Sequence, residues 1–511
     1  MLVAAASLAL VSCGQRLVYE AETDPAVAGD DTTTTLVDPP SETDQSSENT
    51  TPVSDSIDWQ PCIPEFSEGT FECGSLAVPF DYANPAAGTF TLALTRRLAE
   101  SPSLRVGSLL VNPGGPGFGG TAVAEQAEWY LSSSLLERFD VVGWDPRGTG
   151  DSTPAVDCID NYDRYFGIDS PPNDAAAKQE MVALTQEFVD ECVKRNGEML
   201  KYISTEASAR DMDSIRRALG EDRISYFGFS YGSELGAVWV TLFPDTVRAA
   251  VFDGASDPNA SGFDQAMSQL KGFEQQLNAF FADRAKRPTC AIYNGGRPAA
   301  LFDELARDID ANPIPSPDGR TAVTQGVFYT AVVQAMYSNT LWSQLELALA
   351  QAARGNGVGL LRLYDEYYQR QPDGTYGNEL EAFLAISCLD DPEGATVADV
   401  DADVRLFAAA AKRLGENFGY GYACALWPYR VDERVMVTGR TAGPIVVIGT
   451  TGDAATPLSS TRKAAEALEQ GVLVVVEADR HTGYGLNSCV VERVDDYLID
   501  LTVPENETYC K

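Results

Sequence analysis

The stretch Gly228-Phe229-Ser230-Tyr231-Gly232 fits the pattern G-x-S-x-G. It follows an apolar run and precedes a helical pattern, the setting in which a serine projects from a sharp strand-to-helix turn. Its hydroxyl is a poor nucleophile until a base takes its proton. The chain has one histidine, His481, so an imidazole base has only one source. Between the two lies Asp453, at the end of "PIVVIGTTGD". Serine, aspartate and histidine in that order, each closing an apolar run, suit acyl transfer through a covalent serine intermediate. Asp253, which ends "AAVFD", is the competing acid. Asp479 stands too near His481 in the chain to orient its ring easily.

Such a reaction needs donors for the oxyanion. One is the Tyr231 N–H, at the start of the helix that follows the serine. "NPGGPGFGG" (112–120) supplies the other, because its glycines let backbone N–H groups approach a ligand. Gly115 is the expected donor and Gly114 the alternative. This loop lacks the Gly-Lys-Ser/Thr ending of a phosphate-binding P-loop. The cysteines form no C-x-x-C pair, which gives zinc no support. The chemistry requires neither metal nor organic cofactor.

Elements must bring these residues together. "VGSLLVN", "FDVVGW", "ISYFGF", "AAVFD", "PIVVIG" and "VLVVVE" are short, nearly continuous apolar runs, as in parallel strands buried on both faces. Helical patterns between them predict an α/β fold with a mostly parallel sheet. Upstream, "CGSLAVPFDY" and "GTFTLALTRRL" read as an antiparallel pair. The strand signal lapses from 256 to 435, where amphipathic helices such as "FDQAMSQLKGFEQQLNAFF" prevail. The expected organisation is a core in two parts, 58–255 and 436–511. A mainly helical cap, 256–435, would sit over the C-terminal strand ends where open α/β sheets carry their sites.

Seventy-five acidic residues against 37 basic leave a net charge of −38. That excludes a nucleic-acid partner and a basic membrane-binding face. The first residues, "MLVAAASLALVSC", hold an apolar run too short to span a bilayer. The run ends in Leu-Val-Ser-Cys, like a lipoprotein signal over 1–12 with Cys13 lipidated. Residues 13–57 are rich in Asp, Glu, Thr, Ser and Pro and read as an acidic tether. Export makes disulfides the natural use of the remaining cysteines. Pairing neighbours gives Cys62–Cys73, Cys158–Cys192, Cys388–Cys424 and Cys489–Cys510, with Cys290 left over, although spacing alone does not fix connectivity.

"NPGGPG", "GWDPRGTGDS", "GFSYGSELG", "AISCLD", "TGDAATP" and "RHTGYG" together resemble the tripeptidyl aminopeptidase-like branch of the α/β-hydrolases, akin to proline iminopeptidases. The branch includes exported serine peptidases and carboxylesterase A-type lipoproteins. The resemblance spans about Cys62 to Cys510. It implies the α/β-hydrolase fold with a helical cap, Ser230 as nucleophile, Asp453 as acid and His481 as base. It also implies an oxyanion hole from Tyr231 and the NPGGPG loop. Peptide or small ester substrates and an extracytoplasmic location follow from it. Two positions depart from the branch: Arg284 stands where a cysteine partner for Cys290 is often found, and Arg480 replaces a glycine before the histidine. Release of short peptides from free N-termini further requires carboxylates for the substrate ammonium. Asp390 is the first candidate, then Asp391 and Glu234. The rival readings are a carboxylesterase on the same triad and a binding module on a silent hydrolase fold.

Overall fold

The computed structural model describes residues 56–63, 69–316 and 319–511. The expected signal, Cys13 and nearly all of the tether lie outside these residues. Ile57, assigned to the tether by composition, is 8% exposed and packs against Gly74, so the folded region already includes it.

Among the described residues ten strands form one sheet: β1 (Gln60–Cys62), β2 (Phe71–Asp81), β3 (Asn84–Arg97), β4 (Gly107–Asn112), β5 (Phe139–Trp144), β6 (Ile224–Phe229), β7 (Val247–Asp253), β8 (Ile445–Thr450), β9 (Gly471–Val476) and β10 (Thr508–Cys510). Their spatial order is β1-β2-β3-β5-β4-β6-β7-β8-β9-β10. Pairing is antiparallel from β1 to β5 through β2 and β3, and parallel from β5 onward to β10. β4, β5, β6 and β8 are buried at every residue, which is why their sequences are apolar throughout rather than alternating. β1 and β10, three residues each at the two edges, are not evident in the sequence pattern.

Register aligns the reactive ends. Phe229 of β6 pairs with Asp253 of β7, which pairs with Ile448 of β8, and Thr450 of β8 pairs with Val476 of β9. The residues following these strands therefore emerge along one rim. Between β7 and β8 the chain is helical. Its first long helix, Gly262–Arg284, is capped by the Ser261 side chain accepting from Asp264 N–H, and it buries Leu270, Phe273, Leu277, Phe280 and Phe281 along one face. That face joins a second apolar cluster, with Phe302, Phe328 and Leu345 of later helices, which meets the sheet domain at Ala454 and Ala455.

Four disulfides join the neighbour pairs Cys62–Cys73, Cys158–Cys192, Cys388–Cys424 and Cys489–Cys510. Cys290 is half-buried and has no disulfide partner among the described residues. Arg284 is 2% exposed and pairs with Asp283 and Glu346. An ion pair thus occupies the place where the resemblance led to the expectation of a second cysteine.

Candidate active site

β6 ends in a tight elbow. Ser230 has φ 55° and ψ −126°, a strained conformation that turns the chain into the helix Tyr231–Leu242. The flanking glycines are required by contact. A Cβ on Gly228 would lie 2.3 Å from the Gly232 carbonyl oxygen, and one on Gly232 would lie 2.6 Å from that of Asn112. Ser230 N–H donates to the Asp253 carbonyl at 2.8 Å, so β7 holds the elbow.

His481 lies in the loop after β9. Its Nδ1 meets both Asp453 oxygens at 2.9 Å. Asp453, buried in the loop after β8, also accepts from Thr456 N–H at 2.8 Å and from the Thr456 hydroxyl at 2.9 Å. That hydroxyl is 3.2 Å from His481 Nδ1. The other imidazole nitrogen, Nε2, is buried and has no hydrogen-bond partner among the described residues, Ser230 included. The ring's Cε1 sits 2.9 Å from where a Cβ of Gly254 would be. Gly254 follows Asp253, whose carbonyl accepts from Ser230 N–H, so the imidazole and the Ser230 backbone meet at the end of the same strand.

Asp253 does not touch the imidazole. Its two oxygens accept from Gly483 N–H and Tyr484 N–H, both at 2.8 Å, bracing the histidine loop from beneath. Burial pushes its carboxyl up to about 6, against those two donors and the nearby His481. Burial draws the His481 imidazole down, but the charge and hydrogen bond of Asp453 and the charge of Asp253 outweigh it, leaving the pKa above its ordinary value. Asp479 is exposed, and its carboxylate lies 3.4 Å from Gln276 Nε2 rather than against the ring.

The helical insertion grips the same loop. His481 N–H donates to the Tyr337 carbonyl at 2.8 Å, and Asn339 N–H donates to that of Asp479 at 3.0 Å. The Tyr337 ring meets the imidazole edge-on, centroids 5.8 Å apart. Neither Thr456 nor Tyr337 is signalled by a motif. Thr456 had one faint clue, its place three residues after the acid in "TGDAATP".

Tyr231 N–H lies 2.8 Å from where a Cβ of Gly114 would stand, so the NPGGPG loop faces the helix N-terminus. Gly114 N–H is committed to Asn112 Oδ1 at 2.9 Å. Of the two candidate donors, Gly115 N–H is the one with no hydrogen-bond partner among the described residues. The helix Glu379–Leu389 of the insertion lies directly on this loop, since a Cβ on Gly117 would fall 2.2 Å from the Glu379 carbonyl oxygen.

Asp390 follows that helix. It accepts from Thr205 N–H at 3.0 Å and from its hydroxyl at 2.6 Å, and that hydroxyl also bonds the Tyr231 phenol. Burial pushes Asp390 up to about 7. Glu234 pairs with Arg434 at 2.8 Å, and burial raises its carboxyl too. Both line a cavity of about 30 Å³, room for a water. Asp391 lies apart from it, 3.6 Å from Arg430.

A family model described as the alpha/beta hydrolase fold matches residues 107–487. The serine protease Hip1 of Mycobacterium tuberculosis (strain ATCC 25618 / H37Rv) is 34% identical over 484 residues, covering 89% of this chain and 91% of that protein. Carboxylesterase B of the same strain is 34% identical over 479 residues, covering 88% and 89%. A tripeptidyl aminopeptidase of Streptomyces coelicolor is 29% identical over 459 residues, covering 87% and 84%. The crystal structure of a proline iminopeptidase from Mycobacterium smegmatis aligns with a TM-score of 0.35 at 14% identity, covering 84% of this chain and 97% of that one. With the family model matching most of the chain and relatives above 30% identity along nearly all of it, this protein belongs to the α/β-hydrolase family and is a serine hydrolase.

Proposed function

We propose that the protein is an aminopeptidase that releases short peptides from free N-termini through an acyl-enzyme on Ser230. The observation that carries the catalytic assignment is the only imidazole in the chain, held at Nδ1 by Asp453 with Nε2 uncommitted at the rim of the Ser230 elbow. As Oγ bonds to the substrate carbonyl carbon, its proton passes to Nε2. Asp453 holds the tautomer that leaves Nε2 free and stabilises the imidazolium. Tyr231 and Gly115 N–H groups hold the oxyanion, each such donor being worth about 3–4 kcal/mol. Collapse expels the amine, which leaves with the proton from Nε2, and water repeats the cycle on the acyl-enzyme.

Asp390 and Glu234 are the proposed anchors for the substrate ammonium. Their burial beside Tyr231, the residue after the nucleophile, supports this, and so does the relative named tripeptidyl aminopeptidase. Asp391, outside the small cavity that Asp390 and Glu234 line, is the weaker candidate. The relative named carboxylesterase B supports the second reading, ester cleavage on the same triad. Three matched substrates separate the two: a tripeptide amide with a free amine, its N-blocked twin, and a short acyl ester. Cleavage of the blocked peptide as fast as the free one would remove the exopeptidase reading. Four disulfides support an extracytoplasmic location. The mass of the mature N-terminus tests lipidation at Cys13.

A further inference from the structure

Helices of the insertion and the helix Ala175–Asn196 enclose a cavity of about 340 Å³, within the range of small-ligand sites. Phe166, Tyr329, Val333, Tyr368, Leu384 and Phe418 are among its walls. No charged side chain lines it, in a chain where 22% of residues are charged. A terminal ammonium or a carboxylate would lose its hydration there with no opposite charge to offset the loss, only neutral groups such as Asn417, Thr185, Thr330 and the tyrosine hydroxyls. The chemistry of the walls therefore calls for an uncharged, apolar occupant, and the substrate's charged terminus must lie elsewhere.

Two sets of contacts tie the cavity to the catalytic rim. The helix Gln325–Met336 supplies Tyr329 and Val333 to the wall, and the next residue, Tyr337, grips His481 through its carbonyl and its ring. On another wall, the Phe418 ring is 6.2 Å from Phe273, which is 5.3 Å from Tyr337. A few aromatic side chains therefore separate cavity from imidazole. The ring-to-ring steps from Phe418 through Phe273 and Tyr337 to His481 are 6.2, 5.3 and 5.8 Å, and an extended peptide advances roughly 3.3–3.6 Å per residue, so an occupant of the cavity lies several positions from the scissile bond.

We propose that this cavity is a specificity subsite for an apolar group of the substrate remote from the scissile bond. The proposal rests on the Ser230–His481–Asp453 reading above. The apolar group is either a peptide side chain or the end of an acyl chain, and the two are separable by experiment.

The test uses the full-length protein and two substrate pairs. The first is free-amine tripeptide p-nitroanilides carrying Phe or Ala at the first residue. The second is octanoyl and acetyl p-nitrophenyl esters. Val333→Trp and Leu384→Trp fill the cavity from two different helices, and fluorophosphonate labelling of Ser230 reports an intact triad. The wild-type protein is expected to prefer the bulkier apolar member of at least one pair by about 10–100-fold in kcat/KM. Both tryptophan variants should erase most of that preference while the small substrate and the labelling rate change less than about threefold, on the same scale. A preference confined to the peptides identifies a side chain, and one confined to the esters an acyl chain. No preference in either pair, or parallel loss for both members of a pair in labelling-competent variants, overturns the proposal. Should both tryptophan variants lose labelling, Val333→Ala decides instead: enlarging the wall must shift preference toward bulkier groups, and no shift overturns the subsite. Failure of the wild-type protein to label would instead strike at the triad.

Discussion

Replacing Asp253 by asparagine separates its two jobs. The carboxylate accepts from Gly483 and Tyr484 N–H, each at 2.8 Å, and its charge faces His481 from β7. The amide keeps one acceptor and turns an NH₂ toward the other N–H. One buried donor loses its partner, at a cost of about 1–3 kcal/mol. Against this, the native carboxyl is pushed up to about 6 by burial, some two units above a free aspartate, so its ionised form costs the fold about 3 kcal/mol at neutral pH. A carboxyl whose folded pKa is raised contributes stability that is complete below about pH 4 and lost as pH rises through about 6. Asparagine does not ionise and escapes that loss. Asp253→Asn should therefore be nearly as stable as the wild-type protein at pH 7 and clearly less stable at pH 4, read from chemical denaturation at both values. Activity should fall about 10–100-fold even at pH 7, because a displaced 481–484 loop misaims the imidazole. The charges facing the ring are Asp453, Asp253 and Arg480, and removing one negative member lowers the His481 pKa. The acid limb of fluorophosphonate labelling should accordingly move to lower pH. Wild-type labelling rates with an unmoved acid limb would refute the role assigned to this residue, whatever the melts show.

Thr456→Val removes the hydroxyl that donates to Asp453 at 2.9 Å, a bond to a charged acceptor worth about 1.5–3 kcal/mol, and should lower kcat about 10–100-fold with KM little changed. Thr456→Ser should restore most of it in the same steady-state assay. Gly114→Ala forces a methyl to within 2.5 Å of the Phe229 carbonyl oxygen and 2.8 Å of Tyr231 N, so labelling of Ser230 should be lost or the melting temperature should drop sharply. The free-enzyme acid limb of kcat/KM should lie above pH 6.5, since His481 is held protonated above its ordinary value and a protonated imidazole takes no proton from serine. A rate that stays flat down to pH 4 would contradict the imidazole as base.

The candidate nucleophile, base and acid could be picked out of the sequence because the chemistry proposed for them restricts residue type and chain position together. G-x-S-x-G encodes a turn too tight for a Cβ at Gly228 or Gly232, and a lone histidine leaves no choice of base. The central strands were legible because burial on both faces writes continuous apolar runs. What stayed hidden depends on tertiary contact. Nothing in the one-dimensional pattern says that the Gly114 N–H, rather than that of Gly115, is spent on Asn112, since both residues are glycine. Asp253 looked like a rival acid because it ends a strand on the same rim, and only the coordinates turn its carboxylate to the backbone of 483 and 484. Tyr337 sits in an unremarkable helical stretch whose relation to His481 exists only once the insertion folds back.

The two supports of the histidine loop come from different parts of the molecule, and that has a consequence for the insertion. From the sheet side, Asp253 ties the segment after His481 to the strand end that also holds Ser230 N–H. From the insertion side, Tyr337 and Asn339 take up the backbone of His481 and Asp479, and Ser338 pairs with Arg480 in a short antiparallel bridge. The imidazole is therefore seated at a seam, with its peptide N–H satisfied by the insertion and its Nδ1 by the sheet domain. Docking of the insertion therefore adds two backbone hydrogen bonds, each worth about 0.5–1.5 kcal/mol net, to the seat of the histidine loop. An insertion that merely roofed the cleft could open without disturbing the triad. Movement of this one away from the sheet domain would break the contacts of 337–339 with Asp479, Arg480 and His481 while leaving those of Asp453 and Asp253 in place.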